Sequence, residues 1–345
     1  MLKFEIVKEE IKKLIDTMEG DSILPSYSQF ARDFNVSDIT VRKALTELSN
    51  EGLIYGIRGK GVFVAPKHGV LRDVHIMSHF ISMNQDYYND FYPIILEKLQ
   101  EKFIERKLNP IYSFHRDLPE LEQFFVSKLI EHPPYGVVII PSGFSSAFPY
   151  YQRLHNIQNN MVFLDIDVPS VHANLVSGDS YSAVKEMTEN LDLNDYQKIC
   201  ILSDDNRRNL STNKIRINCF KNYLKDNNIT KYSTFDENCD FETYKYRLLD
   251  YINYNVKKYK KICIFSVSLS ALVLVFKELE EQIKSLDKCL VLSTGRINLD
   301  RFKNVSLIWA EQNVDDLSEN VANIIDLNGK DSKQVYVPFK VYRNF

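Results

Sequence analysis

The sequence predicts two domains of different fold class: an α+β winged helix-turn-helix domain at the N-terminus and a larger two-lobed α/β domain with parallel sheets. Residues 24–64 read as two short helices, a tight turn between them and a glycine-rich hairpin. Beyond residue 70, short apolar runs alternate with amphipathic stretches over a length too great for one small sheet, which favours two similar lobes. We assign residues 1–66 to the first domain, 67–70 to a linker and 71–345 to the second.

The first domain begins with two predicted helices. Over residues 3–18, apolar side chains recur at helical spacing with Glu and Lys between them. Pro25 has no amide hydrogen to donate and suits a helix start. Ser26 or Ser28 can accept hydrogen bonds from the first-turn amides, which predicts a helix over residues 26–34.

A turn and a third helix follow. Asn35 can adopt the left-handed backbone that ends a helix, and Ser37 can cap the next one. The inner face of that helix is apolar and comprises Val41, Ala44, Leu45 and Leu48. Its outer side carries Asp38, Thr40, Arg42 and Lys43. Short hydroxylated side chains beside cations at an exposed helix start are suited to the major groove of DNA.

The hairpin reads as a wing. Apolar strands at 53–55 and 62–64 flank a loop with two cations and three glycines, which let the backbone approach a phosphate or a minor groove. The glycines could suggest a phosphate-binding loop, but no helix follows them. We therefore interpret residues 56–61 as the tip of a wing.

LPSYSQFARDFNVSDITVRKAL followed by EGLIYGIRGKGVFV resembles the DNA-binding domain of the GntR family of bacterial regulators. The resemblance covers roughly the first seventy residues. Two customary cations are absent, because Tyr27-Ser28 stands where the family usually has Glu-Arg, and Asp38 where many members have Arg. The resemblance implies these candidate DNA-binding positions: Ser26, Tyr27, Ser28, Ser37, Thr40, Arg42, Lys43, Arg58, Gly59 and Lys60.

The second domain is predicted as alternating strands and helices. Strands are predicted at 70–77, 109–114, 136–141, 161–166, 198–202, 261–265, 288–292 and 306–309. Helices are predicted at 91–106, 118–131, 146–158, 179–191, 212–226, 240–256, 269–284 and 313–326. Runs that are apolar on both faces are typical of parallel strands covered by helices. Ligands of such sheets bind beyond the carboxyl ends of the strands, and here also between the lobes.

Six segments of this domain, in order, resemble the effector domain of the LacI family, itself similar to periplasmic sugar-binding proteins. They are MVFLDIDVP (161–169), VSGDSYSAVKEM (176–187), KICILSDDN with IRINCFKNYL (198–224), KICIFSVSLSALVLVFKEL (261–279), SLIWAEQNVDDLSENVANII (306–325) and YVPFKVYR (336–343). A GntR-type DNA-binding domain joined to a LacI-type effector domain resembles the arabinose-repressor branch of regulators. The resemblance implies a small ligand between the lobes, with a monosaccharide as the first class to consider.

The resemblance also indicates ligand-binding residues. Arg216 stands where the family keeps an arginine, and its planar five-donor fork suits paired hydroxyls. Asp165 closes a predicted strand at the edge facing the cleft and could accept two hydrogen bonds. Phe241 matches a position where an aromatic ring often stacks on a sugar. The alternatives are a surface ion pair for Arg216, a loop cap for Asp165 and an ordinary core ring for Phe241.

A departure from the family concerns Val267-Ser268, which stands where the family has Asn-Asp. An apolar residue there replaces a polar contact and leaves the ligand class less specified. Ser268 remains a candidate contact at this position. Further candidates for the pocket, each with a structural role as the alternative, are Phe91, Thr294 and Gln312.

Composition limits the classes of function. Of the 345 residues, 44% are hydrophobic and 26% charged, with a net charge of −3. Residues 1–69 carry ten Lys and Arg against ten Asp and Glu, so DNA affinity requires a local patch. The five cysteines are widely spaced without a C-x-x-C motif, which predicts free buried thiols rather than disulfides or a zinc site. No signal peptide or membrane-spanning run occurs, and we expect a cytoplasmic protein.

Enzyme motifs are absent. The sequence has no H-E-x-x-H, G-x-x-x-x-G-K-[ST] or G-x-S-x-G motif, so we expect no catalytic residues, no metal and no cofactor. The pattern predicts a homodimeric, ligand-controlled regulator that acts as a repressor on a double-stranded DNA operator. Its half-sites are expected about one helical turn apart, or a multiple of it. The alternative is a small-molecule-binding or enzymatic α/β module in which the winged helix is a platform for protein interactions.

Overall fold

The computed structural model describes residues 3–51, 53–57, 60–65, 72–78, 91–116, 118–203, 210–267, 269–295, 305–328 and 333–345. The chain forms two compact units, Met1–Leu71 and Arg72–Phe345. The predicted linker at 67–70 lies outside the described residues, as do Arg58, Gly59 and Ser268 among the candidate contacts.

The N-terminal unit has the predicted winged-helix order. Its helices are α1 (Lys3–Thr17), α2 (Tyr27–Asp33) and α3 (Asp38–Asn50), and its hairpin strands are β1 (Ile54–Ile57) and β2 (Gly61–Val64). The strands pair antiparallel, with Tyr55 opposite Phe63. The predicted inner face of α3 is confirmed, because Val41, Ala44 and Leu48 have no exposed surface, whereas Ile39 is 79% exposed.

Local polar groups determine where these helices begin and end. The hydroxyl of Ser26 accepts from the amide of Gln29 at 3.2 Å, and that of Ser37 accepts from the amide of Thr40 at 3.4 Å. Both serines therefore cap helices and satisfy amides that lack intrahelical partners. Asn35 has a φ of 49°, the left-handed conformation expected at the turn between α2 and α3.

The C-terminal unit consists of two lobes, each built on one six-stranded sheet. The sheet of lobe 1 is parallel throughout and has the order β13-β7-β6-β5-β3-β4. Its strands are β3 (Arg72–Ser78), β4 (Leu108–Phe114), β5 (Gly136–Ile139), β6 (Met161–Leu164), β7 (Asn174–Gly178) and β13 (Gln334–Val337). The helices that cover this sheet are α4 (Phe91–Glu105), α5 (Pro119–Glu131), α6 (Phe148–His155) and α11 (Val314–Asp326).

The sheet of lobe 2 has the order β14-β12-β11-β10-β8-β9 and is parallel except for β14. Its strands are β8 (Lys198–Leu202), β9 (Tyr232–Phe235), β10 (Lys261–Ser266), β11 (Lys288–Thr294), β12 (Ser306–Gln312) and β14 (Phe339–Arg343). Its helices are α7 (Ser180–Thr188), α8 (Ser211–Asp226), α9 (Phe241–Lys258) and α10 (Leu269–Lys284). The predicted fold class, two lobes with parallel sheets, is confirmed.

The chain crosses between the lobes three times. The crossings lie between β7 and α7, between β12 and α11, and between β13 and β14. Each crossing changes cores: α7 packs on the sheet of lobe 2 and α11 on the sheet of lobe 1. The carboxyl ends of β7 and β12 consequently meet at the junction of the lobes.

The thiols differ from the expectation that all five are buried. Cys200, Cys263 and Cys289 are buried in the sheet of lobe 2, whereas Cys219 and Cys239 are only partly buried. Burial raises the pKa of the Cys200 thiol to about 11 and that of Cys289 to about 12.

Within the described ranges no helix is long and apolar enough to cross a membrane, and no group of three His, Cys, Asp or Glu could hold a metal ion.

Candidate DNA-binding surface and ligand site

The exposed start of α3 is the candidate DNA-binding surface of the N-terminal unit. The Ser37 and Thr40 hydroxyl oxygens lie 2.9 Å apart, so the cap holds Thr40 at the first turn. At the other end of α3, Lys8 of α1 forms ion pairs with Glu47 at 2.9 Å and Glu51 at 2.6 Å. These hydrogen bonds raise the pKa of Lys8. Helix α3 is thus held at both ends while its outer side remains exposed.

The two adjacent cations of α3 point to different neighbours. The guanidinium carbon of Arg42 lies 5.0 Å from the centroid of the Tyr27 ring, at the start of α2. The ammonium of Lys43 lies 3.8 Å from the centroid of the Phe4 ring, on α1. Tyr27 therefore stands beside Arg42, one of the two cations of α3 that the family resemblance implies as DNA contacts. Both cations are exposed, as is Lys60 at the turn of the wing.

Asp165 lies at the junction of the lobes, directly after β6. Its backbone has a φ of 70°, and its amide donates to the Val176 carbonyl at 2.8 Å. Its carbonyl accepts from the Ser177 hydroxyl at 2.7 Å. One carboxylate oxygen, Oδ1, accepts from Nε2 of Gln312 at 3.1 Å. Two predicted ligand residues from different lobes are therefore in direct contact.

Arg216 projects from α8 into the same region and is 7% exposed. Its Nε donates to the Ser180 hydroxyl at 3.1 Å, and its Nη1 donates to the Val267 carbonyl at 3.3 Å. Its guanidinium carbon lies 5.7 Å from the centroid of the Phe339 ring. Burial lowers the pKa of Arg216, while the negative charge of Asp165 opposes that decrease. The guanidinium remains charged in this setting.

The Val267 carbonyl joins another predicted residue to this group. Thr294, at the end of β11, donates its hydroxyl to the same carbonyl oxygen at 3.1 Å. The side chain of Val267 is buried, and its polar contribution comes from the backbone. The backbone carbonyl of Val267 thus accepts hydrogen bonds from both Arg216 and Thr294.

Two buried polar atoms at these strand ends have no hydrogen-bond partner among the residues that the structure describes. They are the Ser78 hydroxyl, at the end of β3, and Oε1 of Gln312, at the end of β12. Ser78 has no exposed surface. An unsatisfied buried acceptor or hydroxyl is energetically costly, and a ligand that bonds to it removes that cost.

The remaining predicted ligand residues are distributed differently. Phe91 begins α4 and is partly buried against the core of lobe 1, with its ring centroid 5.2 Å from that of Tyr92. Phe241 begins α9, and its side chain is 48% exposed. Asp165 contacts Gln312 directly, and Arg216 and Thr294 share the Val267 carbonyl. The negative charge of Asp165 acts on Arg216 and relates the two pairs. The contacts of Ser180 and Phe339 with Arg216 were not expected from the sequence.

Comparison with known proteins agrees with the geometry of the N-terminal unit. Residues 4–64 match the family described as bacterial regulatory proteins, gntR family. The N-terminal unit is a GntR-type DNA-binding domain.

Curated relatives of the chain are transcriptional regulators. The arabinose metabolism transcriptional repressor of Geobacillus stearothermophilus is 29% identical over 183 residues, a match that covers 49% of each protein. The HTH-type transcriptional repressor NagR of Bacillus subtilis is 41% identical over 61 residues, or 17% of this chain and 25% of NagR. The matched region thus spans no more than about half the length of these relatives.

Solved structures share the fold of the C-terminal unit. The Cra transcriptional dual regulator of Pseudomonas putida, in complex with fructose 1-phosphate, has a TM-score of 0.67 and 13% identity. It covers 80% of this chain and 99% of its own. The Caulobacter myo-inositol binding protein, bound to myo-inositol, has a TM-score of 0.66 and 10% identity. The match covers 80% of this chain and 94% of the binding protein. The C-terminal unit therefore has the two-lobed fold of LacI-type regulators and periplasmic binding proteins.

Proposed function

We propose that this protein is a DNA-binding transcriptional regulator, acting as a repressor, whose operator affinity is controlled by a small polyhydroxylated ligand held between the lobes. A monosaccharide is the first class to test. The observation that carries the proposal is the polar group at the junction of the lobes, made of buried Asp165, Arg216 and Thr294 with partly buried Gln312, in a chain whose residues 4–64 match the gntR family. The names of the curated relatives support the same role.

The chemistry of the group suits hydroxyls. A guanidinium has five N–H donors, and among the described residues the hydrogen bonds of Arg216 involve Nε and Nη1. Asp165 presents acceptors, and Gln312 presents an unsatisfied acceptor. A sugar hydroxyl can donate and accept at once, so adjacent hydroxyls can bond to Arg216 and to Asp165 together. A ligand that could only donate hydrogen bonds, or only accept them, would satisfy part of this set.

The regulatory cycle follows from the two lobes. A ligand that contacts both lobes stabilises one angle between them over others. In a dimer, that change of angle would alter the spacing of the two DNA-binding domains. The coupling is reciprocal and typically amounts to about 1–3 kcal/mol. We propose a homodimer on an imperfect palindrome, with ligand binding relieving repression. Because the DNA is cytoplasmic in bacteria, the proposal also implies a cytoplasmic location.

The proposal assigns no catalytic step to the protein. The curated relatives are named as transcriptional repressors, which supports a regulator rather than an enzyme. The competing function is an α/β module in which the winged helix contacts other proteins. DNA binding by the N-terminal unit separates the two functions.

The first prediction concerns Arg42. A DNA site selected from a random duplex pool should bind the full-length protein with an affinity that falls steeply with salt, because phosphate contacts release counterions. Arg42→Ala should weaken binding by about 1–3 kcal/mol if Arg42 contacts a base. If Arg42 contacts a phosphate, the variant should reduce the slope of log affinity against log salt concentration by about 1 for each DNA-binding domain. Fluorescence anisotropy across a salt series measures both quantities.

Arg153→Ala is the matched control for this experiment. Arg153 is an exposed arginine of the C-terminal unit, so its removal changes net charge equally without touching α3. DNA binding should be unchanged in this variant. If no duplex is selected, the protein-interaction function replaces the proposed one. If a duplex is selected and both variants bind it alike, Arg42 is not a DNA contact.

The second prediction concerns Arg216. A thermal-shift screen of the full-length protein against L-arabinose, D-xylose, D-fructose, L-fucose, D-glucuronate and myo-inositol should identify a compound that raises the melting temperature. A ligand at 100 times its Kd stabilises the folded state by about 2.7 kcal/mol. Arg216→Ala should abolish that shift and the response of DNA binding, while DNA binding without the compound is retained.

Two further variants sharpen this result. Arg216→Lys keeps the charge but loses the planar fork, so it should bind the compound far more weakly than the wild type. Lys225→Ala removes an exposed cation from the last turn of the same helix and should respond normally. A normal thermal shift in Arg216→Ala would remove this residue from the ligand site.

A further inference from the structure

The three crossings between the lobes converge on one aromatic ring, that of Phe339. Phe339 is the first residue of β14, pairs with Gln312 of β12, and is 7% exposed. The Asp179 amide, just after β7, donates to the carbonyl of Val337, the last residue of β13, at 2.7 Å. This hydrogen bond joins the first crossing to the third. The ring therefore lies where the ends of β7, β12 and β13 come together.

Gly178 makes room for that ring. A Cβ placed on Gly178 would lie 2.3 Å from Cε2 and 2.7 Å from Cζ of Phe339, and 3.2 Å from Oε1 of Gln312. Distances below 3.0 Å are essentially absent between real Cβ atoms and their neighbours. Any other residue at 178 would consequently displace the outer half of the ring. Position 178 requires glycine because the ring of Phe339 lies so close to its backbone that a Cβ does not fit.

The same ring is a neighbour of Arg216, whose guanidinium carbon lies 5.7 Å from its centroid. The hydrogen bonds to Ser180 and Val267 hold Nε and Nη1 of this long side chain. A cation over an aromatic face gains further stabilisation, more so when it is desolvated. The ring thus restricts the guanidinium in addition to these two hydrogen bonds.

We propose that Phe339 is a positioning residue for Arg216 and that glycine at 178 is what allows it to act. The ring holds the guanidinium in the orientation that presents its remaining donors at the junction of the lobes. Because Phe339 lies directly after the third crossing and packs over the first, it also transmits a change in lobe angle to Arg216. The consequence for binding rests on the proposed ligand function, whereas the positioning of Arg216 does not.

The first test reads the position of Arg216 directly, without a ligand. In full-length protein labelled with ¹⁵N-arginine, the Nε–H resonance of Arg216 is assigned by its loss in Arg216→Lys. It should show slow hydrogen exchange and a ring-current shift in the wild type. Phe339→Leu should remove the shift and accelerate exchange at least tenfold. An unchanged resonance in Phe339→Leu would overturn the proposal, whether or not any sugar binds.

A matched control separates positioning from general loss of packing. Phe235 is an equally buried ring, 5% exposed, at the end of the edge strand β9, where it packs against Tyr244 and Tyr251. Phe235→Leu should lower the melting temperature about as much as Phe339→Leu, yet leave the Arg216 resonance in place. If Phe235→Leu changed that resonance equally, the effect of Phe339 would be one of packing alone.

The second test uses Gly178→Ala and the compound in the six-member screen that gives the largest thermal shift. Phe339→Leu and Gly178→Ala should each weaken its binding by roughly 2- to 30-fold, the range of one cation–π contact. Because leucine lacks the two ring atoms nearest Gly178, adding Gly178→Ala to Phe339→Leu should cost little more. Additive losses in the double variant would contradict the steric link.

These two readouts distinguish the possible failures. If none of the six compounds shifts the wild type, the proposed sugar function fails, and the arginine resonance alone decides whether Phe339 positions Arg216. If a compound binds the wild type and Phe339→Leu equally, the positioning proposal fails, and the ligand function stands.

Discussion

At the scale of single residues, Asp165 combines a proposed ligand-binding side chain with an unfavourable backbone conformation. Its φ of 70° is in the left-handed region, which costs an L-amino acid about 1–2 kcal/mol. Strain of this kind is retained where the surroundings enforce it, and here the Val176 carbonyl and the Ser177 hydroxyl hold both backbone polar groups. The sequence could indicate a carboxylate at the end of this strand, but its backbone conformation depends on β7.

Comparing Asp165→Gly with Asp165→Ala isolates that strain, because both variants lose the carboxylate. Glycine accepts the left-handed conformation but loses more conformational entropy on folding. The glycine variant should still be more stable by about 0.5–1 kcal/mol in urea unfolding. At Asp167, which has no positive φ, the alanine variant should be the more stable one. The same order at both positions would show that residue 165 carries no strain.

The contacts of Arg216 show why part of the site could not be predicted. Arginine at a helix start after a buried strand is recognisable from the pattern around residue 216. Its partners are a backbone carbonyl, at Val267, and the ring of Phe339, which follows it by more than a hundred residues. A carbonyl has no signature in the sequence, because every residue carries one. Long-range contacts of this kind follow only from the arrangement of the lobes.

At the scale of elements, strong periodicity decided which predictions succeeded. All eight helices predicted in the C-terminal unit are present, with ends within three residues of those predicted. Strands buried on both faces, such as β8 and β10, were also predicted. Four strands were not recognised: β7, β9, β13 and β14.

The four unrecognised strands have two physical reasons. β9 and β14 lie at the edges of their sheet and β13 at one edge of the other, so each pairs with a single neighbour and is only partly buried along its length. β7 is buried along its whole length, yet it contains Asn174, Ser177 and Gly178. Ser177 bonds to Asp165 and Gly178 makes room for Phe339, so the junction of the lobes, and not local propensity, determines the composition of β7.

At the scale of the whole molecule, the net charge of −3 gives no general attraction to DNA. The structure instead holds α3 with its cations exposed on a small, well-packed unit, and places the buried polar group in a separate, larger unit. Under the proposed function, this division allows ligand affinity and DNA affinity to be altered by separate substitutions. Global conditions such as pH act on both through stability.

The last prediction concerns pH and two partly buried histidines of lobe 1. Burial lowers the pKa of His75, against the opposing effect of Asp73, and also lowers that of His155, against a hydrogen bond to the His172 backbone. The folded state therefore favours neutral rings. Their contribution to stability is complete above the unfolded pKa of about 6.5 and decreases as pH falls below it.

The melting temperature should accordingly fall between pH 7.5 and pH 5.5, and less so in His75→Gln than in the wild type. Glutamine can replace the contact of the His75 ring with the Ser113 hydroxyl, whose oxygen lies 2.7 Å from Nε2, without gaining a proton. His132→Gln, at an exposed position, should lose as much as the wild type. Carboxylates titrate identically in all three proteins, so the difference between them isolates His75. An equal loss in His75→Gln would mean that the neutral ring at this position does not stabilise lobe 1.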